Sequence, residues 1–159
     1  GEGYASDLIS GLDWVAGNRA TPAVANVSIS SAAAVQSVDD AVRRLAGAGV
    51  TVVVSAGNDG RDACGVSPAR TPEALPVAAA DPSDARAGFS NYGNCVDVLA
   101  PGVGVRSAWH ADDGASNTLD GTSMAAPHVA GVEVEGAFPK LPGRHNGHLS
   151  IAAVFRHPA

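Results

Sequence analysis

One serine and one asparagine each lie in a run rich in small residues, where backbone N–H groups or a side-chain amide could stabilise developing negative charge. Ser123 lies within residues 121–131, whose small residues indicate a helix that begins near the serine and has Pro127 in its first turn. The free backbone N–H groups and the positive dipole end at the start of such a helix favour an anion. A plain Ser/Thr helix cap would use the same residue types, so the pattern alone leaves both interpretations open.

The asparagine belongs to the run Ser55-Ala56-Gly57-Asn58, which directly follows a continuous β-branched stretch at residues 50–54. Such a stretch is typical of a strand buried on both faces of a parallel sheet. Ligands bind beyond the carboxyl ends of parallel strands, where the Asn58 amide would point into a crevice and Gly57 would let a substrate backbone approach. A strand-ending turn is the competing interpretation, because Gly-Asn is ordinary turn chemistry.

The elements that must position these residues alternate along the chain, which predicts an α/β fold with a parallel sheet. Apolar spacing predicts helices over residues 6–15 and 37–46, capped by Ser6 and Ser37. The strand signals lie at residues 24–29, 50–54, 75–79 and 96–99. This order places Asn58 after a buried strand and Ser123 at the start of a helix.

Composition narrows the class of protein. The sequence has 159 residues, 45% of them apolar and 16% charged, with a net charge of −6 at pH 7. These values fit one domain with a core and exclude global disorder. The apolar runs are too short to span a membrane, and the lack of a basic patch disfavours nucleic acid as a partner. The two cysteines, Cys64 and Cys95, suit either one disulfide in an oxidising compartment or two unrelated thiols.

Residues 121–131 resemble the nucleophile motif of the subtilisin-like serine proteases (the subtilases, peptidase family S8), especially the proteinase K and aqualysin branch. Three further runs resemble that branch in the same order, namely Gly11-Leu12-Asp13-Trp14-Val15, Ser55-Ala56-Gly57-Asn58 and Phe89-Ser90-Asn91-Tyr92-Gly93. The resemblance implies a subtilisin-like three-layer α/β fold with a parallel sheet, incomplete in this sequence. We expect residues 1–132 to be the C-terminal part of a catalytic domain and residues 133–159 to be a divergent tail. Glu133 falls on the expected buried stripe, so the last helix is predicted to end near residues 131–136.

The same resemblance implies a serine endopeptidase in which Ser123 attacks the scissile carbonyl. Asn58 and the Ser123 backbone N–H would stabilise the resulting oxyanion. Substrate would pair as an added strand along residues 28–31, where Ser28-Ile29-Ser30-Ser31 departs from the Ser-Leu-Gly-Gly usual in the branch. The residues implied to contact substrate are Ser28, Ile29, Ser30, Ser55, Ala56 and Gly57.

The branch also implies a disulfide between Cys64 and Cys95. It further implies a structural calcium ion held by the Asp97 carboxylate and the backbone oxygens of Pro72 and Ala74, with no cofactor for catalysis. We expect a secreted, extracellular monomer that acts on peptide or protein substrates and binds neither nucleic acid nor membranes. A propeptide or a missing N-terminal portion would be its further partner.

The triad of this family runs Asp, His, Ser along the chain, and the family's Asp and His motifs do not occur in this sequence. We therefore expect the isolated chain to hold the nucleophile and oxyanion donors without their base, and to be inactive. His128 follows Ser123 by five residues, roughly 140° around the helix, and is expected to be structural. The alternative is a non-catalytic subtilase-like domain that binds peptides or proteins. Asp and His motifs upstream in the gene would contradict this alternative.

Overall fold

The computed structural model describes residues 3–134 and the backbone of Leu149 and Ser150. None of the helices in this part of the chain is both long enough and apolar enough to cross a bilayer. A short 3₁₀ turn occupies Ala63–Gly65. The helices and strands are, in chain order, α1 (Ala5–Asn18), β1 (Ala23–Val27), α2 (Gln36–Gly47), β2 (Val50–Ser55), β3 (Ala74–Ala80), β4 (Val98–Pro101), β5 (Val105–Ala108), β6 (Ser116–Leu119), α3 (Thr122–Val134) and β7 (Leu149–Ser150).

Five of the strands form one parallel sheet in the order β1, β2, β3, β4, β7. The register pairs Val52 with Ala74 and Val77 with Val98. The strands β5 and β6 form a separate antiparallel hairpin, which the sequence did not predict. The parallel sheet itself confirms the predicted fold class, and it brings the carboxyl ends of β1, β2 and β3 to one edge.

Helices cover both faces of the sheet and so make the three layers that were predicted. On β2, Val52 and Val54 pack into the cluster that includes Leu12 of α1 and Val42 of α2. Val53 points to the opposite face and packs in the cluster that includes the buried side of α3. Because Val52, Val53 and Val54 are each at most 1% exposed, each stabilises the fold by about 1.5–3 kcal/mol through burial.

Small residues let α3 approach the sheet closely, and Gly102 after β4 marks the closest point. A Cβ on Gly102 would lie 2.4 Å from the Ala79 Cβ and 2.9 Å from the Gly121 carbonyl oxygen. The Gly121 N–H donates to the Gly102 carbonyl at 2.8 Å. Since Gly121 immediately precedes α3, this contact fixes where that helix begins relative to the sheet.

The predicted caps of the first two helices are wrong. The cap positions are occupied by Tyr4 and Val35, and neither makes a side-chain cap hydrogen bond. Ser6 lies inside an exposed first turn of α1, where water can satisfy the free N–H groups. At α2, the Ser67 hydroxyl accepts from the Val35 N–H at 2.8 Å, so a residue from a distant loop, not Ser37, sets where the helix starts.

Candidate active site

Ser28 and Ser123 meet at the carboxyl edge of the sheet. Ser28 directly follows β1, and Ser123 is the second residue of α3. The Ser123 hydroxyl donates to the Ser28 carbonyl at 3.2 Å, and the Ser28 hydroxyl donates to the Ser123 carbonyl at 2.9 Å. The predicted nucleophile and the first residue of the predicted substrate edge are therefore in direct contact.

Pro127 explains why the Ser123 carbonyl needs an outside donor. The sequence placed this proline in the first turn, but it lies well inside α3. A helical residue at position 127 would donate its N–H to the carbonyl four residues earlier, which is that of Ser123, and proline has no N–H. The Ser28 hydroxyl supplies the missing donor, so the proline couples α3 to the end of β1.

Asn58 lies across from Ser123, with its side-chain amide held by the residue that precedes the serine. Its Oδ1 accepts from both the backbone N–H and the hydroxyl of Thr122, each at 2.9 Å. Because a backbone N–H requires an acceptor, this contact fixes which end of the amide is oxygen. The Nδ2 group then lies beside the start of α3, 3.6 Å from where a Cβ on Gly121 would be. Among the described residues, no hydrogen bond uses that Nδ2 donor.

The predicted substrate residues form two segments that approach each other at Gly57. Ser55, Ala56 and Gly57 are buried at the end of β2. The Ser30 hydroxyl lies 3.6 Å from the position of a Gly57 Cβ. Any side chain at residue 57 would therefore narrow the space between the two segments.

Ile29 and Ser30 also line a cavity of about 430 Å³ on the side facing α1. Its apolar wall includes Leu8 and Val38 from the first two helices. β1 ends at Val27, two residues before the predicted end of that strand, so residues 28–31 lie beyond its last ladder pair. The backbone of residues 28–31, which is predicted to bind substrate, is therefore not paired in the sheet. The apolar cavity lies next to this segment.

Within residues 3–134, no hydrogen bond joins Ser123 to a histidine. His128 Nδ1 lies 2.8 Å from the Met124 carbonyl oxygen on its own helix. His110 is exposed in the hairpin, and its ring contacts that of Trp109 at a tilted angle. The described residues thus provide a nucleophile candidate and an amide donor, and the hydroxyl of the serine is bonded to a backbone carbonyl.

The predicted disulfide is confirmed, since Cys64 and Cys95 are bonded with their Cα atoms 5.2 Å apart. It joins the loop after β2 to the loop before β4. Among the described residues, no cluster of three or more His, Cys, Asp or Glu side chains could hold a metal ion. The Asp97 N–H donates to the Pro76 carbonyl at 3.0 Å, which brings the Asp97 backbone beside β3, at a residue two positions after Ala74.

Sequence reasoning missed two residues of this site. Thr122 lies in the motif at residues 121–131, where no role was predicted for it, yet it holds the Asn58 amide and its hydroxyl accepts from the Gly57 N–H at 3.1 Å. No role was predicted for Asn91 either, yet it is fully buried against the turn that carries Asn58. The sequence pointed to both residues only because each lies in a segment that resembles the family, at residues 121–131 for Thr122 and residues 89–93 for Asn91.

The chain matches a family model described as "Subtilase family" over residues 1–144. It is 53% identical to "Extracellular serine proteinase" of Thermus sp. (strain Rt41A) over 131 residues, which are 82% of this chain and 32% of that protein. It is 48% identical to "Alkaline serine exoprotease A" of Vibrio alginolyticus over 132 residues, 83% of this chain and 24% of that protein.

A solved structure described as a "cold adapted subtilisin-like serine proteinase" superposes with a TM-score of 0.82 and 46% identity. The match covers 86% of this chain and 49% of that one. The chain thus spans a third or less of the two curated relatives and about half of the solved one.

Proposed function

The chain belongs to the subtilase family, and from that premise we propose that its protein is a serine endopeptidase with Ser123 as the nucleophile. The Ser123 Oγ attacks the scissile carbonyl carbon as its proton passes to a base. The C–N bond then breaks as the proton is given to the leaving amine. Water next attacks the acyl-enzyme carbonyl as one of its protons passes to the base, and the ester C–O bond breaks as the base returns that proton to the Ser123 Oγ. Relatives named as an extracellular serine proteinase and an alkaline serine exoprotease support this activity.

The observation that carries the proposal is the way Thr122 holds Asn58. Both Thr122 donors occupy the Asn58 Oδ1, so the Nδ2 group is the end of the amide left to face a ligand. The Ser123 backbone N–H lies at the N-terminal end of α3, where free N–H groups and the helix dipole favour an anion. These two donors would bind the oxyanion, and such donors act mainly on the transition state.

The proposal requires a base from outside the described residues, because no hydrogen bond among them joins Ser123 to a histidine and its hydroxyl donates instead to the Ser28 carbonyl. That same bond favours a second candidate function, a non-catalytic domain that binds peptides or proteins along residues 28–31. In the catalytic case, the 3.2 Å bond to Ser28 is exchanged for one to the base when substrate binds.

A fluorophosphonate probe, which reacts with activated serines, separates the two functions. In the full-length gene product we expect covalent labelling at Ser123 and none in the Ser123→Ala variant. Ser10→Ala, which alters an exposed serine of α1, is the matched control and should label normally. The isolated 159-residue chain should label only weakly. Absence of labelling in the full-length protein would favour the binding domain, and strong labelling of the isolated chain would contradict the need for an outside base.

Calcium is proposed as a structural ion bound by the Asp97 carboxylate with the carbonyl oxygens of Pro72 and Ala74. The donor set suits it, because calcium prefers oxygen ligands and accepts backbone carbonyls. The approach of Asp97 to β3 through its bond to Pro76 supports the assignment. We expect EDTA to lower the melting temperature of the protein and Asp97→Asn to abolish that shift. An unchanged melting temperature after EDTA would refute the site.

We further propose that the protein is secreted. The name of the Thermus relative and the Cys64–Cys95 disulfide support this location. Detection of the protein in culture medium rather than in washed cells would test it. The monomeric state, the propeptide partner and the boundary at residue 132 stay predictions.

A further inference from the structure

Asn91 lies in the loop between β3 and β4, and none of its surface is exposed. Its backbone N–H donates to the Gly57 carbonyl at 2.9 Å. Its side-chain Nδ2 donates to the Ala56 carbonyl at 2.8 Å. Its Oδ1 accepts from the backbone N–H groups of Asp59 and Arg61 at 3.0 and 3.1 Å. Four hydrogen bonds from one buried residue therefore reach a single turn.

These bonds bracket Asn58 without touching its side chain. Two end on the residues just before it and two on residues after it. The turn lies outside the helices and strands and passes through Gly57 at φ +101°, a conformation that favours glycine. A Cβ on residue 57 would lie 2.4 Å from the Asn91 Nδ2. The side chain of Asn91 thus packs against Gly57. It also makes hydrogen bonds to the backbone of the turn, as a neighbouring strand would do in a sheet.

Asn58 is consequently held by two separate contacts. Thr122 holds its side-chain oxygen, and Asn91 holds the backbone on either side. An oxyanion donor contributes only when its nitrogen lies about 2.7–3.1 Å from the charge that develops. We propose that Asn91 is a positioning residue that keeps the Asn58 Nδ2 at this distance in the transition state. This inference rests on the proposed role of Asn58 as oxyanion donor.

If Asn91 only satisfied hydrogen bonds of the loop, its removal would lower the stability of the protein and leave kcat unchanged. A positioning residue would instead lower kcat, and only while Asn58 is present to be positioned. A double-mutant cycle separates these roles, because non-additivity reports coupling between two sites. Thr71→Val is the matched control, since Thr71 is buried and donates to Asp39 at 3.0 Å, away from the turn.

The cycle compares the full-length protein with its Asn58→Ala, Asn91→Ala and doubly substituted variants, using kcat and KM for one peptide substrate. Asn58→Ala is expected to lower kcat by about 10²–10³, the loss known for removal of one oxyanion donor. Asn91→Ala should lower kcat by about tenfold or more with KM nearly unchanged, and should have no further effect in the Asn58→Ala background. Thr71→Val should lower the melting temperature and leave kcat unchanged.

An Asn91→Ala effect on kcat that is absent, or equal in both backgrounds, overturns the inference and leaves the role of Asn58 standing. A kcat unchanged by Asn58→Ala would instead overturn the proposed function. If Asn91→Ala does not fold, Asn91→Ser replaces it in the cycle. Serine keeps the backbone donor to Gly57 and adds no charge, but its short hydroxyl cannot make all three side-chain bonds of Asn91, so a kcat loss that depends on Asn58 is again expected.

Discussion

Ser28 and Ser123 each donate a hydroxyl to the backbone carbonyl of the other, at 2.9 and 3.2 Å. The pair joins the end of β1 to the first turn of α3, two segments 95 residues apart in sequence. The contact compensates for Pro127, which cannot donate to the Ser123 carbonyl. The orientation of the proposed nucleophile therefore depends on a residue of the proposed substrate edge.

Removing the Ser28 hydroxyl should destabilise the protein. Ser28→Ala leaves the Ser123 carbonyl without its donor, and we expect the free energy of unfolding to fall by about 1–2 kcal/mol. In a Pro127→Ala background the loss should shrink, because alanine restores an N–H to the helix. Urea unfolding of the four variants measures this, with Ser10→Ala expected to change little. An equal loss in both backgrounds would show that the proline is not the cause.

Removing the disulfide should have a larger effect. Replacing both Cys64 and Cys95 by alanine opens a link with a sequence separation of 31. The chain-entropy model predicts a loss of about 3.5–4 kcal/mol. Urea unfolding gives the loss, and alkylation with and without reductant, followed by intact mass, checks the bond in the parent. Two thiols alkylated without reductant would contradict the disulfide.

The buried ion pair between Asp39 and Arg70 should respond asymmetrically to substitution. Asp39 is fully buried, whereas the Arg70 side chain is 34% exposed, with Nε 3.1 Å from the carboxylate. Arg70→Met would leave a buried charge without its counter-charge, which we expect to cost about 3 kcal/mol. Asp39→Asn keeps an acceptor for the Thr71 hydroxyl and should cost about 1 kcal/mol. Urea unfolding measures the free energy of unfolding of both variants. A larger decrease for Asp39→Asn than for Arg70→Met would refute the asymmetry.

Glu133 should make the protein less stable as the pH rises. Burial in the last turn of α3 raises the pKa of this carboxyl above its ordinary value of 4.5. The folded state therefore binds the proton more tightly than the unfolded state, and stability is lost as pH rises through the folded pKa. The negative end of the α3 dipole also disfavours the ionised carboxylate of Glu133. Glu133→Gln should raise the melting temperature at pH 7 and change it little at pH 3. A lower melting temperature at pH 7 would contradict this.

The sequence predicted the sheet and its doubly buried strand because burial leaves a clear pattern. Residues 50–54 are continuously apolar or β-branched, and the structure buries them between two layers of helices. The hairpin escaped prediction because Val105–Ala108 and Ser116–Leu119 are short, mostly polar and exposed, so neither shows a buried face. The cap at α2 escaped because Ser67, which fixes it, lies 32 residues from Val35.

For the site, the sequence identified Asn58 and Ser123 but not the residues that hold them. Thr122 and Asn91 act through backbone contacts across 64 and 35 residues of chain. Hydrogen bonds over such separations leave no periodic pattern in the sequence. Only the run containing Asn91, shared with the family, indicated that this loop was more than a connection.

The contact between Gly102, Ala79 and Gly121 limits which substitutions an engineer can choose. With 2.4 Å between a residue-102 Cβ and Ala79, even alanine at that position must push the start of α3 away from β3. A mutant library aimed at this strand end would therefore lose folding stability far more often than one aimed at the exposed hairpin. Selection for thermal tolerance should accordingly leave residues 79, 102 and 121 unchanged and accumulate its changes on the β5–β6 surface.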